Sequence, residues 1–131
     1  DLMNIGTAAS QSGVSAKTIR YYESVGLIPA ADRSDNGYRR YADTDIATLR
    51  FIQRARHLGF SVGEVRDLLA LWQDRNRASA DVKTMALEHI ATIEARVEEL
   101  QTLQKTLIDL TQRCHGDDRP DCPILDDLAG E

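Results

Sequence analysis

The sequence predicts a mainly α-helical protein, and three features carry that expectation. Gly13 splits two short helix-compatible stretches near the start, Asn36-Gly37 marks one tight hairpin, and a single apolar heptad pattern runs across residues 86–111. The chain has 131 residues, which suits one compact domain or a small domain plus one long element. Hydrophobic residues make up 42% but aromatics only 5%, so the core must be largely aliphatic. No run approaches the ~18 apolar residues of a membrane span, and there is no signal-peptide pattern. The protein is expected to be cytoplasmic, with no membrane partner.

Each element follows from local chemistry. Residues 5–12 form a helix with Ala8 and Ala9 inside, and Gly13 breaks it. Ser15 is placed to cap a second helix over 16–24, because its hydroxyl can accept from an otherwise unpaired first-turn N–H. Ile19 and Tyr22 share one side of that helix. Two short helices joined by a Gly-containing turn make a helix-turn-helix candidate, and the small Ala9 is expected to let the helices approach. Pro29 interrupts helix. Asn36-Gly37 then signals a two-residue hairpin, since both positions tolerate positive φ. Its flanks are short, so it would be a small wing.

Asp43 or Thr44 is expected to cap a helix running to about His57, with Ile46, Leu49, Ile52 and Phe51 as inward candidates. Ser61 and Glu64 make a capping box for the next helix, whose apolar face is Val65, Leu68, Leu69 and Trp72. A polar link from Asp74 to Ala78 precedes the longest element. There Ala86, Ile90, Ile93, Val97, Leu100, Gln104, Leu107 and Thr111 alternate in steps of four and three, a heptad seam. Such a helix is roughly 50 Å long. Alone it would leave its seam in water; the favoured partner is the same helix of a second chain, the alternative being that it folds back on its own domain. A tail with Gly116, Pro120 and Pro123 reads as a loop, with Ile124, Leu125 and Leu128 expected to pack over it. The domain boundaries expected are 3–74, 79–112 and 113–131.

Net charge is -5, which by itself argues against a nucleic-acid partner. The two halves differ, however. Residues 1–77 hold 11 Lys/Arg against 9 Asp/Glu, while residues 78–131 hold 5 against 12. The first half can therefore face phosphate although the whole chain is acidic. Lys17 and Arg20 stand three apart on the second helix and share a face. Arg33, Arg39 and Arg40 flank the hairpin among Tyr38 and Tyr41, and Arg54 and Arg56 lie near the end of the third helix. A recognition helix in the major groove and a basic wing over the backbone would use these groups, Arg for bases and phosphates and Tyr hydroxyls for phosphates. Any one of these arginines alone reads better as an ordinary surface charge. The helix-turn-helix, the wing and the basic cluster together do not. No acid/base pair, nucleophile constellation or phosphate-cradling glycine loop argues for an enzyme.

Cys114 and Cys122 stand with seven residues between them. In a reducing cytoplasm a structural disulfide is disfavoured. Thiolates are soft donors suited to Cu(I), Ag(I), Au(I) or zinc; zinc wants four ligands, whereas two thiolates alone suit a two-coordinate monovalent ion. His115 is a possible third ligand. From spacing alone, a metal site and a pair of unliganded or reversibly oxidised cysteines fit equally. A thiol redox sensor is therefore the rival function.

Taken together, these stretches resemble the MerR family of metal-responsive regulators, and within it the copper-sensing, CueR-type branch. The resemblance rests on Ile19-Arg20-Tyr21-Tyr22-Glu23 with Gly26-Leu27, on Arg33-Ser34-Asp35-Asn36-Gly37-Tyr38-Arg39, and on Arg56-His57-Leu58-Gly59-Phe60-Ser61. It continues through Ser79-Ala80-Asp81-Val82-Lys83 and the loop from Cys114 to Cys122-Pro123-Ile124. It implies a winged helix-turn-helix DNA-binding domain, an antiparallel coiled-coil dimer, and a buried monovalent ion, Cu(I) or alternatively Au(I) or Ag(I), held by Cys114 and Cys122. By the same resemblance Lys17, Arg20, Arg33, Tyr38, Arg39 and Arg56 fall on DNA-contact positions. Ser79 stands where sensors of divalent ions carry a Cys, and Lys83 with a helix terminus would offset the charge of a two-thiolate site. His115 departs from the branch, which commonly has Pro there. The resemblance further implies that the dimer binds double-stranded promoter DNA, and that metal binding distorts it so that RNA polymerase engages and efflux or detoxification genes are activated. No separate effector domain follows the long helix, which disfavours a drug-binding relative.

Overall fold

The computed structural model describes residues 2–30, 32–33 and 39–130. The chain divides into two compact units, residues 1–82 and 83–131.

The first unit is built on four helices. Helix α1 (Ile5–Ser12) starts at Asn4, whose side chain accepts from Thr7 N–H at 2.8 Å. It ends at Gly13, where φ is 77°. Only glycine takes that left-handed conformation without a Cβ penalty, so the break is set by one residue. Helix α2 (Ala16–Ser24) starts at Ser15, whose hydroxyl accepts from Thr18 N–H at 3.1 Å, as the sequence led us to expect. Strands β1 (Asp32–Arg33) and β2 (Arg39–Arg40) pair antiparallel, with Asp32 opposite Arg40 and Arg33 opposite Arg39. The expected Asn36-Gly37 turn between them lies outside the described residues. Met3 and Tyr41 exchange two backbone hydrogen bonds of 2.7 Å, which ties the start of the chain to the end of this ribbon.

Helix α3 (Asp43–His57) begins differently from expectation. Its N-cap is Ala42, not Asp43 or Thr44, and the carboxylate of Asp45 accepts from Ala42 N–H at 2.8 Å. A carboxylate in the first turn can thus serve an orphan donor even when the capping residue itself has no polar atom. Helix α4 (Val62–Gln73) carries the expected capping box: Ser61 N–H donates to Glu64 at 2.8 Å and Glu64 N–H donates to Ser61 Oγ at 3.1 Å.

Helix α1 packs on α2 and α3, and α3 packs on α4. The core where they meet is aliphatic: Ala8, Ile19, Leu49, Ile52 and Val65 are fully buried, with Val14, Ile46 and Leu69 beside them. Ala8, rather than Ala9, sits in the tightest part of this packing; Ala9 is only partly buried. Trp72 does not complete the inner face of α4. It remains exposed and stacks on Phe51 with ring centroids 4.5 Å apart.

Helix α5 (Ser79–Arg113) runs 35 residues without interruption, and α6 (Pro123–Leu128) follows the loop. Only His89 and Leu110 are buried along α5. The seam residues Ile90, Ile93, Val97, Leu100 and Leu107 are all about half exposed, from 44% to 56%. No helix is long and apolar enough to cross a membrane among the described residues.

Candidate nucleic-acid interface and cysteine loop

Helix α2 divides its residues cleanly between core and solvent. Ile19 and Tyr22 point inward, while Lys17, Arg20 and Tyr21 are exposed. Positions i, i+3 and i+4 lie on one helix face, so the ammonium, the guanidinium and the phenol of these three residues form a single outward stripe. Tyr21 was missed as a candidate in the sequence; the inward position of Tyr22 is the signal that assigns its neighbour outward.

Tyr41 is the reverse case. The sequence offered its hydroxyl to phosphate, but Tyr41 is 1% exposed and its hydroxyl donates to Glu23. It is a core residue that holds the ribbon end against α2. The same bond holds the one carboxylate of α2 against the ribbon end.

Arg54, Arg56 and His57 are exposed at the C-terminal end of α3, where cations also favour the negative end of the helix dipole. Arg56 Nη1 donates to the carbonyl of Phe60 at 2.7 Å, which holds the guanidinium in place while leaving it at the surface. Between this end of α3 and the start of α2 lies an open cleft of about 200 Å³, lined among the described residues by Ser15, Thr18, Gln53, Arg56, His57 and others, none of them a carboxylate. Two further arginines of the domain serve structure. Arg50 donates to the carbonyl of Gln11 at 2.7 Å and 3.2 Å, and Arg66 to that of Val25 at 2.6 Å, so both satisfy carbonyls at or just past helix ends. Arg33 and Arg39 contribute backbone to the β-pair. Their side chains, and Tyr38 altogether, lie outside the described residues.

Cys114 follows the last residue of α5, and its N–H donates to Thr111 O at 3.2 Å. Cys122 is the N-cap of α6; its carbonyl accepts from Asp126 N–H at 3.0 Å, with Pro123 in the first turn. The two helix ends therefore set both cysteines. Both are free thiols and half-buried. The expected apolar cover is only partly present: Pro123 and Ile124 are half-buried, whereas Leu125 and Leu128 are 63% and 77% exposed. A six-residue helix presents one narrow face to its neighbour, so the other leucines turn outward. Leu110 is buried beside Pro123, in an open cleft of about 270 Å³ edged by Arg113, Asp126 and Asp127.

Ser79 is the first residue of α5 and Lys83 lies one turn on, both exposed. The 31 residues from Lys83 to Arg113 are continuous helix, which at ~1.5 Å per residue separates them by about 45 Å. Within one chain, then, Lys83 and the cysteine loop are at opposite ends of a rod.

Comparison with known proteins agrees with this geometry. The family described as "MerR HTH family regulatory protein" matches residues 3–72, and that described as "MerR, DNA binding" matches residues 46–110. Heavy metal-dependent transcription regulator 2 of Rhizobium meliloti is 58% identical over 127 residues, spanning 97% of this chain and 86% of its own. The HTH-type transcriptional regulator CueR of Salmonella typhimurium is 43% identical, spanning 98% of this chain and 93% of its own. Among solved structures, the transcription regulator PbrR691 from Ralstonia metallidurans CH34, in complex with Lead(II), superposes with a TM-score of 0.83. It is 32% identical, covering 96% of this chain and 98% of that one. A helix-turn-helix with an outward Lys17–Arg20–Tyr21 stripe, carried on a chain matched by both family descriptions, belongs to the MerR family of transcription regulators, which are DNA-binding proteins and not enzymes.

Proposed function

We propose that the protein is a dimeric, metal-responsive transcription regulator that binds promoter DNA and senses Cu(I), with Au(I) or Ag(I) as alternatives, through Cys114 and Cys122. The observation that carries this reading is the pair of free, half-buried thiols set by the end of α5 and the start of α6. Among the described residues, no three His, Cys, Asp or Glu side chains are grouped to hold a metal. The soft donors that this loop offers are the two sulfurs of Cys114 and Cys122, and two thiolates fit a two-coordinate monovalent ion better than four-coordinate zinc. Relatives named for heavy metals weigh against the redox alternative. An ion shared by the two sulfurs would tie together the ends of the loop.

The half-exposed seam of α5 supports the dimer. Burying a Val, Leu or Ile side chain stabilises by about 1.5–3 kcal/mol relative to full exposure, and five such seam residues stand half in water. The length of α5 supports the antiparallel arrangement. Lys83 and Ser79 can neighbour a cysteine loop about 45 Å away along their own helix only if that loop belongs to the partner chain. Each metal site would then draw on both subunits, which links occupancy to the relative pose of the two DNA-binding domains. That pose is what a promoter with an overlong spacer would read through its own deformability, with RNA polymerase engaging the distorted form.

Lys17, Arg20 and Arg56 are the described groups we assign to DNA, with Tyr21 added; Arg33, Tyr38 and Arg39 complete the wing by resemblance. The cleft between the start of α2 and Arg56 suits a backbone phosphate, because it joins a helix N-terminus to the Arg56 guanidinium with no carboxylate among its described lining residues. Arg20→Ala is expected to weaken binding to a promoter fragment by roughly ten- to a hundredfold and to relax sequence preference. Lys17→Ala is expected to weaken binding evenly across sequences and to lower the salt slope by about one. A salt-dependent gel-shift series checks both.

An anaerobic titration of the reduced protein with Cu(I), Ag(I), Au(I) and Zn(II) against competing chelators tests the sensor assignment. One monovalent ion per subunit, with zinc much weaker, is the expected result. Tight four-coordinate zinc, or no monovalent binding, would overturn it.

A further inference from the structure

Seven residues separate the two cysteines, and a link that short must double back if both sulfurs are to serve one ion. Its fold has a definite centre. The carboxylate of Asp117 accepts from the backbone N–H of Arg119 at 2.9 Å, and from Arg119 Nε at 2.9 Å and 3.1 Å through its two oxygens. One side chain thus grips its neighbour two residues on by main chain and guanidinium together. Gly116 precedes the grip with φ 66°, a conformation that L side chains rarely adopt. Pro120 follows it, fixing φ from the other side. Both charged partners are about half exposed, so the ion pair contributes little to global stability. Its leverage is local, because ordering a free backbone is costly for every residue fixed.

We propose that Asp117 and Arg119 are positioning residues of the two-thiolate site, bracing the loop in its turned-back form before the ion arrives. The inference rests on the dithiolate reading above. A loop already folded needs less ordering when the ion binds, and the saving appears as affinity. The bracket touches no sulfur; it acts through the turn that joins them.

A charge argument gives the opposite sign for Arg119. Removing a cation near a site for a positive ion should strengthen binding, whereas removing half of a brace should weaken it. The test is a chelator-competition titration of the reduced 131-residue protein with Cu(I), comparing wild type with Arg119→Ala, Arg119→Lys and Asp117→Ala. Hydrogen exchange at the Arg119 amide is measured in the metal-free state alongside. Asp117→Ala loses all three bonds and should weaken Cu(I) about five- to tenfold; Arg119→Ala keeps the backbone bond and should weaken it about threefold. Arg119→Lys keeps the charge but loses the Nε–H that the two carboxylate oxygens share, and should fall close to Arg119→Ala. Protection of the Arg119 amide in the metal-free protein should drop in Asp117→Ala while total helicity is unchanged. Equal affinity in all four proteins, or tighter Cu(I) in Arg119→Ala, overturns the bracket with the dithiolate site intact. Failure of the wild type itself to bind Cu(I) removes the dithiolate reading and the bracket with it.

Discussion

Cys114→Ser and Cys122→Ser are each expected to abolish the response to Cu(I) while leaving the protein folded and able to bind its promoter. A two-donor site has no spare ligand. Replacing one thiolate by a hydroxyl removes half of the coordination and substitutes a hard, protonated oxygen for a soft anion. Changes to groups that merely support metal ligands already cost about ten- to a hundredfold in affinity, so loss of a ligand should exceed the upper end of that range. Both thiols are half-buried and free, and only their backbones are used in capping, at Thr111 and Asp126. A hydroxyl fits in the same space, so circular dichroism and thermal unfolding should be nearly unchanged. Metal-dependent transcription from a reporter promoter is the functional readout, with chelator competition as the direct one. Retention of full affinity in either variant would show that the other sulfur works with a different donor, with His115 the first to examine.

Val97→Glu is the second large effect, and it should convert the dimer to monomer. Val97 lies near the middle of α5 and is 48% exposed on the heptad seam. In a two-fold antiparallel pairing centred there, Val97 meets the region of its own copy, so one substitution places two carboxylates close together. Val97 is already half covered, so each subunit also loses about 1 kcal/mol of potential burial, and a buried unpaired charge adds a further penalty. Sedimentation equilibrium should show a dimer for the wild type and a monomer for Val97→Glu at micromolar concentration. Operator affinity should fall with it if both DNA-binding domains of the dimer engage the site together. Thr102→Glu adds the same charge to an exposed position off the seam, and should remain dimeric. If Val97→Glu stays dimeric, the seam is not the interface.

Apart from the start of α3, where Ala42 rather than Asp43 or Thr44 is the N-cap, the helix boundaries discussed above were legible because they are decided within three or four residues. Ser15 caps α2, Ser61 and Glu64 box the start of α4, and Gly13 ends α1, each through chemistry confined to its own turn. The heptad steps of α5 and the sulfur pair after it were likewise visible, since periodicity and spacing are properties of the chain itself. Side-chain assignments that depend on distant partners were not. The hydroxyl of Tyr41 goes to Glu23, the guanidinium of Arg50 to Gln11 and that of Arg66 to Val25, across 18, 39 and 41 residues. No local pattern distinguishes those arginines from Arg20, or Tyr41 from Tyr21. What separates them is whether folding brings an acceptor from a distant part of the chain within reach: Tyr41 is drawn into the core by its acceptor, Arg50 and Arg66 are tied down at the surface by theirs, and Arg20 and Tyr21 stay on the outward stripe of α2.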